Sequence, residues 1–289
     1  MNWGGGVTMP KKSPPPRQPK VGVPSPFQGE GGHRPGGGGN PHSGDVLYGR
    51  QPVYEALRAG RRALRRVWLA EGVHESDIIA QIIALSEQRG LPIARTPREK
   101  LDDLAGTAHH QGIVLEAGPY PYSALDDALA LAAERREPPF FLLLDLLQDV
   151  QNVGSLLRTA EAVGVHGVVL QERRAAGITP AVVNASAGAV EHLLVAQVTN
   201  LVQAMRALKE ADVWLAGLES GEGAIRCDQA DLSGPLGLVV GSEGEGLRAL
   251  VRETCDFLVA LPMRGRVASL NAAIAGSIAL YAAWGARGF

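Results

Sequence analysis

The run Phe140-Phe141-Leu142-Leu143-Leu144 contains no polar side chain, so a strand formed there needs cover on both faces. Such strands belong to parallel sheets flanked by helices, and the chain beyond it alternates short apolar runs with segments of helical period, as that architecture requires. Further strands are predicted at Gly167 to Leu170, Leu193 to Val198, Val213 to Leu218, Leu236 to Val240 and Phe257 to Leu261. Helices are predicted at Asn152 to Val163, Pro180 to Ala189, Leu201 to Glu210, Gly246 to Arg252 and Leu270 to Trp284. The fold class is therefore α/β, with a parallel sheet over residues 139–289.

A smaller α/β unit is expected over residues 45–118, with a helix from Gln51 to Arg58, a strand at Arg66 to Leu69 and a second helix through Ile78, Ile79, Ile82, Ile83 and Leu85. Gly90 fits the helix stop before a strand at Leu91 to Ile93, and Gly112 to Glu116 reads as another strand. A linker, 119–138, carries a short helix from Leu125 to Arg135. Residues 1–44 stand apart. Pro14 to Pro16 and Gly36 to Gly39 leave little to bury, and Glu30 is the one acid, so this stretch reads as a disordered, mildly basic tail.

Composition excludes several classes. No apolar run is long enough to cross a bilayer, and the amino terminus lacks the apolar core of a secretory signal, so a cytoplasmic protein is expected. Cys227 and Cys255 form no CxxC pair, which argues against a disulfide framework or structural zinc. A net charge of −2 means that nucleic-acid binding would have to rest on a local patch.

Three segments can carry chemistry. In Asp145 to Gly164, DLLQDVQNVGSLLRTAEAVG, a buried strand enters a turn at Asp149, with Asn152 expected to cap the next helix. Val153, Leu156, Leu157 and Ala160 share its inner face, while Ser155, Arg158 and Glu161 point away. Arg158 is then either a solvated helix residue or a group near the carboxyl ends of the strands, where open α/β sheets bind ligands. In Leu238 to Leu247, LVVGSEGEGL, three glycines after a strand permit close backbone approach to a ligand. Their order is GxxGxG and no Walker lysine is present, so the usual dinucleotide and nucleotide sites lack their parts. In Leu261 to Ala273, LPMRGRVASLNAA, Ser269 or Asn271 is placed to cap the last helix.

In order and spacing these segments resemble the three signature motifs of the SpoU (TrmH-type) RNA methyltransferases. LYGRQPVYEALRAG and HHQGIVLEA resemble the subgroup with an extra RNA-binding domain like ribosomal protein L30e, which includes the 23S rRNA guanosine-2′-O-methyltransferases. The resemblance covers nearly all of Val46 to the end. It implies a catalytic domain whose carboxyl-terminal segment threads a trefoil knot, a homodimer with its sites near the interface, and S-adenosylmethionine (AdoMet) held around Gly241, Leu261 and Leu270. It implies 2′-O-methylation of a ribose in RNA, on 23S rRNA or a pre-ribosomal particle, without a metal. Arg158 matches the favoured activator of the ribose hydroxyl, and Asn152, Glu243, Ser269 and Asn271 match the other polar positions. The family turn carries proline after its aspartate; Val150 stands here instead, which bears on the turn's geometry.

The chemistry suits such a site. A sulfonium methyl is already electrophilic, so the demand is to generate a nucleophile from a weakly acidic alcohol and align it. Arginine as a residue type is a poor base, so its part is either that of a strongly perturbed base or that of a phosphate anchor steering proton loss. For the substrate, Arg61, Arg62, Arg65 and Arg66, next to Arg58, form the densest basic cluster, read either as an RNA contact or as a solvated helix and turn. His109 and His110 read as structural or RNA-facing. Two other functions stay open: methylation of a tRNA ribose or an antibiotic-resistance site on rRNA, and a knotted RNA-binding protein without catalysis.

Overall fold

The structure, a computed structural model, describes residues 44–74, 76–221, 223–267 and 269–288. The tail reading of residues 1–44 lies outside them, Gly44 excepted. The described elements run β1 (Asp45–Tyr48), α1 (Arg50–Ala59), β2 (Leu64–Ala70), α2 (Asp77–Gln88), β3 (Ile93–Thr96), α3 (Arg98–Ala105), β4 (Ile113–Ala117) and α4 (Leu125–Arg135). They continue with β5 (Phe140–Leu144), α5 (Val150–Ala162), β6 (Gly167–Gln171), α6 (Pro180–Ala185), a 3₁₀ turn at Ala189–His192, β7 (Val195–Val198) and α7 (Leu201–Glu210). The last are β8 (Trp214–Leu218), β9 (Ile225–Arg226), β10 (Leu236–Val240), α8 (Ala249–Thr254), β11 (Phe257–Ala260) and α9 (Ala272–Ala286).

The first four strands form a mixed sheet in the order β1-β4-β2-β3, with β4 antiparallel to both neighbours and β2 parallel to β3. The sheet of the second half is ordered β7-β6-β5-β10-β8-β11-β9, and its pairings are parallel. All five residues of β5 are buried. Its period of two sends Phe140, Leu142 and Leu144 into one core with Leu156 of α5 and Leu280 of α9. Phe141 and Leu143 enter a second core with Met205 of α7 and Val251 of α8. Among the described residues no helix is long and apolar enough to cross a membrane.

Several expected elements shift. Helix α5 begins at Val150, so Asn152 is not its cap. Asp149 is, its Oδ1 accepting from the Asn152 backbone N–H at 2.8 Å. Val150 thus occupies the first helical position, where proline is favoured for its preset φ but is not needed, and the turn closes without it. The helix expected from Gly246 starts at Ala249, because Asp145 holds Arg248 in extended backbone by accepting from its N–H at 2.9 Å and its Nε at 2.8 Å. The helix expected up to Ala189 ends at Ala185. Unanticipated elements are β1, α3 and β9; α3 buries only Leu101 and β9 has two residues, too little for a periodic signal.

The arginine cluster divides. The Arg62 side chain is fully buried, paired with Asp45 at 2.5 Å and with Glu191 of the 3₁₀ turn at 2.8 Å, and it also donates to the Gly118 carbonyl. Arg61 donates to the carbonyls of Leu193 and Pro121 and to the Ser123 hydroxyl. These two therefore tie the first α/β unit to the second and are not available to RNA, which corrects their assignment as phosphate contacts. Arg65 and Arg66 are exposed, Arg66 lying over the Trp68 ring. Arg62→Ala leaves Glu191, 1% exposed, as a buried uncompensated charge. A loss of about 3–5 kcal/mol is expected, read as a lower midpoint in urea unfolding.

Candidate active site

The loop after β10 is shaped by glycine. A Cβ on Gly241 would sit 2.3 Å from the carbonyl carbon and oxygen of Gly246, so the loop can fold back on itself only without a side chain there. The fold-back is closed by the Gly246 N–H donating to the Ser242 carbonyl at 3.1 Å. Beyond it, Arg248 fastens the loop to buried Asp145 at the end of β5.

This loop forms one wall of a cavity of about 560 Å³, which the ends of β8 and β11 and the start of α9 complete. Gly241, Leu261 and Leu270 line it together, as do Glu243, Ser269 and Asn271. Asn271 is the organising residue. Its Oδ1 caps α9 by accepting from the N–H groups of Ala273 at 3.0 Å and Ile274 at 3.1 Å. Its Nδ2 donates to Asn152 Oδ1 at 2.9 Å and to Glu243 Oε1. One side chain thus joins the starts of α5 and α9 to the glycine loop. Ser269 shares the cavity, but Asn271 takes the cap.

Arg158 is separate from this set. It lies six residues beyond Asn152, about 9 Å further along α5, exposed and outside the cavity lining. Its neighbour Thr159 meets Ser277 of α9 at 2.9 Å between hydroxyl oxygens, and Ser277 borders the outer face of that helix. That face is apolar: Ile274, Ile278 and Tyr281 are 54%, 46% and 52% exposed. The opposite face of α9 packs so tightly on α5 that a Cβ on Gly276 would lie 2.6 Å from Leu156.

The electrostatics favour a cation. Glu219, Glu243 and Glu245 line the cavity, and among its described lining residues there is no lysine or arginine. Sequence reasoning missed Glu219 and Glu245; the available signal for Glu219 was a carboxylate immediately after an apolar strand. The thiols take no part: burial pushes Cys255 up to about 12 and raises Cys227, so neither supplies a thiolate. His110 is structural, its Nδ1 accepting from the Gly112 N–H and its Nε2 paired with Asp102 at 2.9 Å. Among the described residues no group of three or more His, Cys, Asp or Glu side chains is placed to hold a metal.

Comparison with known proteins bears on this geometry. The family described as SpoU rRNA Methylase matches residues 139–281, and the one described as RNA 2′-O ribose methyltransferase substrate binding matches residues 46–123. A putative TrmH family tRNA/rRNA methyltransferase, YacO of Bacillus subtilis, is 44% identical over 239 residues, covering 82% of this chain and 94% of its own. A putative TrmH family tRNA/rRNA methyltransferase of Staphylococcus haemolyticus is 38% identical over 237 residues, covering 82% and 93%. Among solved structures, the SpoU methyltransferase AviRb from Streptomyces viridochromogenes in complex with AdoMet has a TM-score of 0.70 at 24% identity, over 84% of this chain and 90% of its own. An AdoMet-bound rRNA methyltransferase from Sinorhizobium meliloti has a TM-score of 0.67 at 24% identity, over 83% and 87%. The two structures share the α/β fold. The matched segments and the extent of the Bacillus relative show that this chain belongs to the SpoU (TrmH-type) family of RNA methyltransferases.

Proposed function

We propose that this protein transfers the methyl group of AdoMet to the 2′-hydroxyl of a guanosine in 23S rRNA, on the free RNA or in a pre-ribosomal particle, in the cytoplasm. The observation that carries the chemistry is the junction at Asn271, which joins buried Asn152 of α5 to Glu243 in the wall of an acid-lined, glycine-walled cavity. The cavity fits the cofactor: its volume is in the range of small-molecule sites, and its carboxylates complement a sulfonium and an ammonium group. Gly241, Leu261 and Leu270 would hold it through backbone and apolar contacts. When bound, AdoMet supplies an electrophilic methyl that needs no metal to activate it.

The chain's own residues then align an alcohol, whose proton passes to solvent as its oxygen takes up the methyl group. Asn152, whose amide oxygen is engaged by Asn271, offers its Nδ2 donors to the target ribose. Glu243 and Ser269 complete the polar rim. Arg158 anchors the phosphate next to the target nucleotide and so favours loss of the 2′-proton, a task suited to a planar guanidinium with several donors. Residues 45–118 act as the RNA-binding unit, with Arg65 and Arg66 as its exposed phosphate contacts, residues 119–138 as the linker and 139–289 as the knotted methyltransferase domain. The substrate-binding match over residues 46–123 supports this division.

The protein works as a homodimer in this reading. A helix apolar on both faces belongs in an interior, and among the described residues α9 has cover on only one of its faces. A second copy on Ile274, Ile278 and Tyr281 would bring each Arg158 to the interface and toward the partner's cavity.

The test is transfer of labelled methyl from AdoMet to unmodified 23S rRNA and to bulk tRNA, with ribose methylation mapped by resistance to alkaline cleavage. Label at one guanosine of 23S rRNA is expected. Label on tRNA would retain the chemistry and overturn the target. AdoMet bound without label on either RNA, or on ribosomal precursors, would leave an RNA-binding protein without catalysis.

A further inference from the structure

Glu219 is the first residue after β8, the strand beside β10, and the polar set joined by Asn271 makes no use of it. Its backbone is fixed, the N–H donating to the Val259 carbonyl of β11 at 3.0 Å. Its side chain is fixed as well, Oε1 accepting from Arg252 Nε of α8 at 2.9 Å. The second oxygen, Oε2, lies 3.8 Å from the point where a Cβ on Gly246 would stand, so it hangs over the glycine loop at the cavity.

The two ends of the cavity differ. Asn271 and Glu243 line one end; Asn271 is bonded to Asn152, which follows β5 on one side of β10, and this is the end where a ribose of RNA would meet the methyl group. Glu219 follows β8, on the other side of β10. A glycine loop after one parallel strand and a carboxylate at the end of its neighbour is a general way to receive a nucleoside: the loop admits it closely and the carboxylate accepts from its ribose hydroxyls. Here the loop follows β10 and the carboxylate follows β8. A carboxylate with one oxygen held by arginine and the other turned to the cavity is already oriented for that task, so little ordering is needed on binding.

We propose that Glu219 receives the ribose hydroxyls of the cofactor's adenosyl group, with Arg252 as its positioning residue. The adenosyl group then lies toward β8 and β11, and the methyl toward Asn152 and Glu243. This rests on the AdoMet reading of the cavity.

The test is calorimetric binding of S-adenosylhomocysteine, which does not react, and of the same compound lacking both ribose hydroxyls, to the full chain and to Glu219→Gln and Glu219→Ala. The unaltered protein is expected to prefer the hydroxylated ligand by roughly tenfold or more, the effect of hydrogen bonds to a charged acceptor. Glu219→Ala is expected to remove most of that preference, and Glu219→Gln, which keeps an acceptor of the same shape, to retain part of it. If both variants keep the full preference, Glu219 serves only as the counterion of Arg252 and the proposal is overturned, even where overall affinity falls. Failure of the unaltered protein to bind either ligand would instead remove the cofactor reading itself.

Discussion

Arg158→Ala lowers methyl transfer by on the order of a thousandfold while cofactor affinity and the unfolding midpoint stay unchanged. The separation follows from position: the residue is exposed on α5, outside the cavity lining, and no core depends on it. Arg158→Lys recovers little, because a point charge on a flexible stem cannot replace a two-pronged donor. Single-turnover rates at saturating AdoMet and RNA, beside AdoMet titrations, check both halves. The dimer reading adds a sharper expectation. When Arg158→Ala and Asn271→Ala chains, each inactive, are refolded together, a site that draws its arginine from the partner is restored in mixed dimers. Random pairing then returns roughly a quarter of the unaltered activity. No recovery would mean that the arginine serves its own chain.

Asn271→Asp is expected to leave the fold in place and lower activity by about a hundredfold. The carboxylate keeps the cap on Ala273 and Ile274, where aspartate and asparagine serve about equally. It loses the donor that holds Asn152 and Glu243 and sets a second negative charge against Glu243. Asn271→Ala removes cap and junction together, so it also costs about 1 kcal/mol of stability. Equal activity loss in both variants, with a lower melting temperature only for alanine, assigns the catalytic effect to the amide donor. An active aspartate variant would reduce Asn271 to a helix cap.

What was legible in the sequence was local. The burial of β5 on both faces, the inner face of α5 and the cap at the start of α9 each depend on residues a few positions apart. The glycine loop was readable as a close-approach loop, though not its closure, which requires Gly241 to meet Gly246 back to back. Asn152 was misread as a cap because the helix start was placed two residues late; freed of that task, its side chain turns to Asn271. The fate of Arg61 and Arg62 was not readable at all. A run of arginines looks the same whether it faces water or a carboxylate, and the carboxylate that decides the matter, Glu191, is 129 residues away from Arg62.

That separation limits how far the first unit can be treated as a portable module. During synthesis Arg62 emerges long before Glu191, and until Glu191 is made it has, among the described residues, only Asp45 as an ionic partner. A graft of residues 45–118 onto another enzyme would leave the same guanidinium without half of its neutralisation, and the isolated later unit would carry Glu191 uncovered. Exchange of RNA specificity between family members by swapping the first unit therefore has to move the 3₁₀ turn that bears Glu191 along with it.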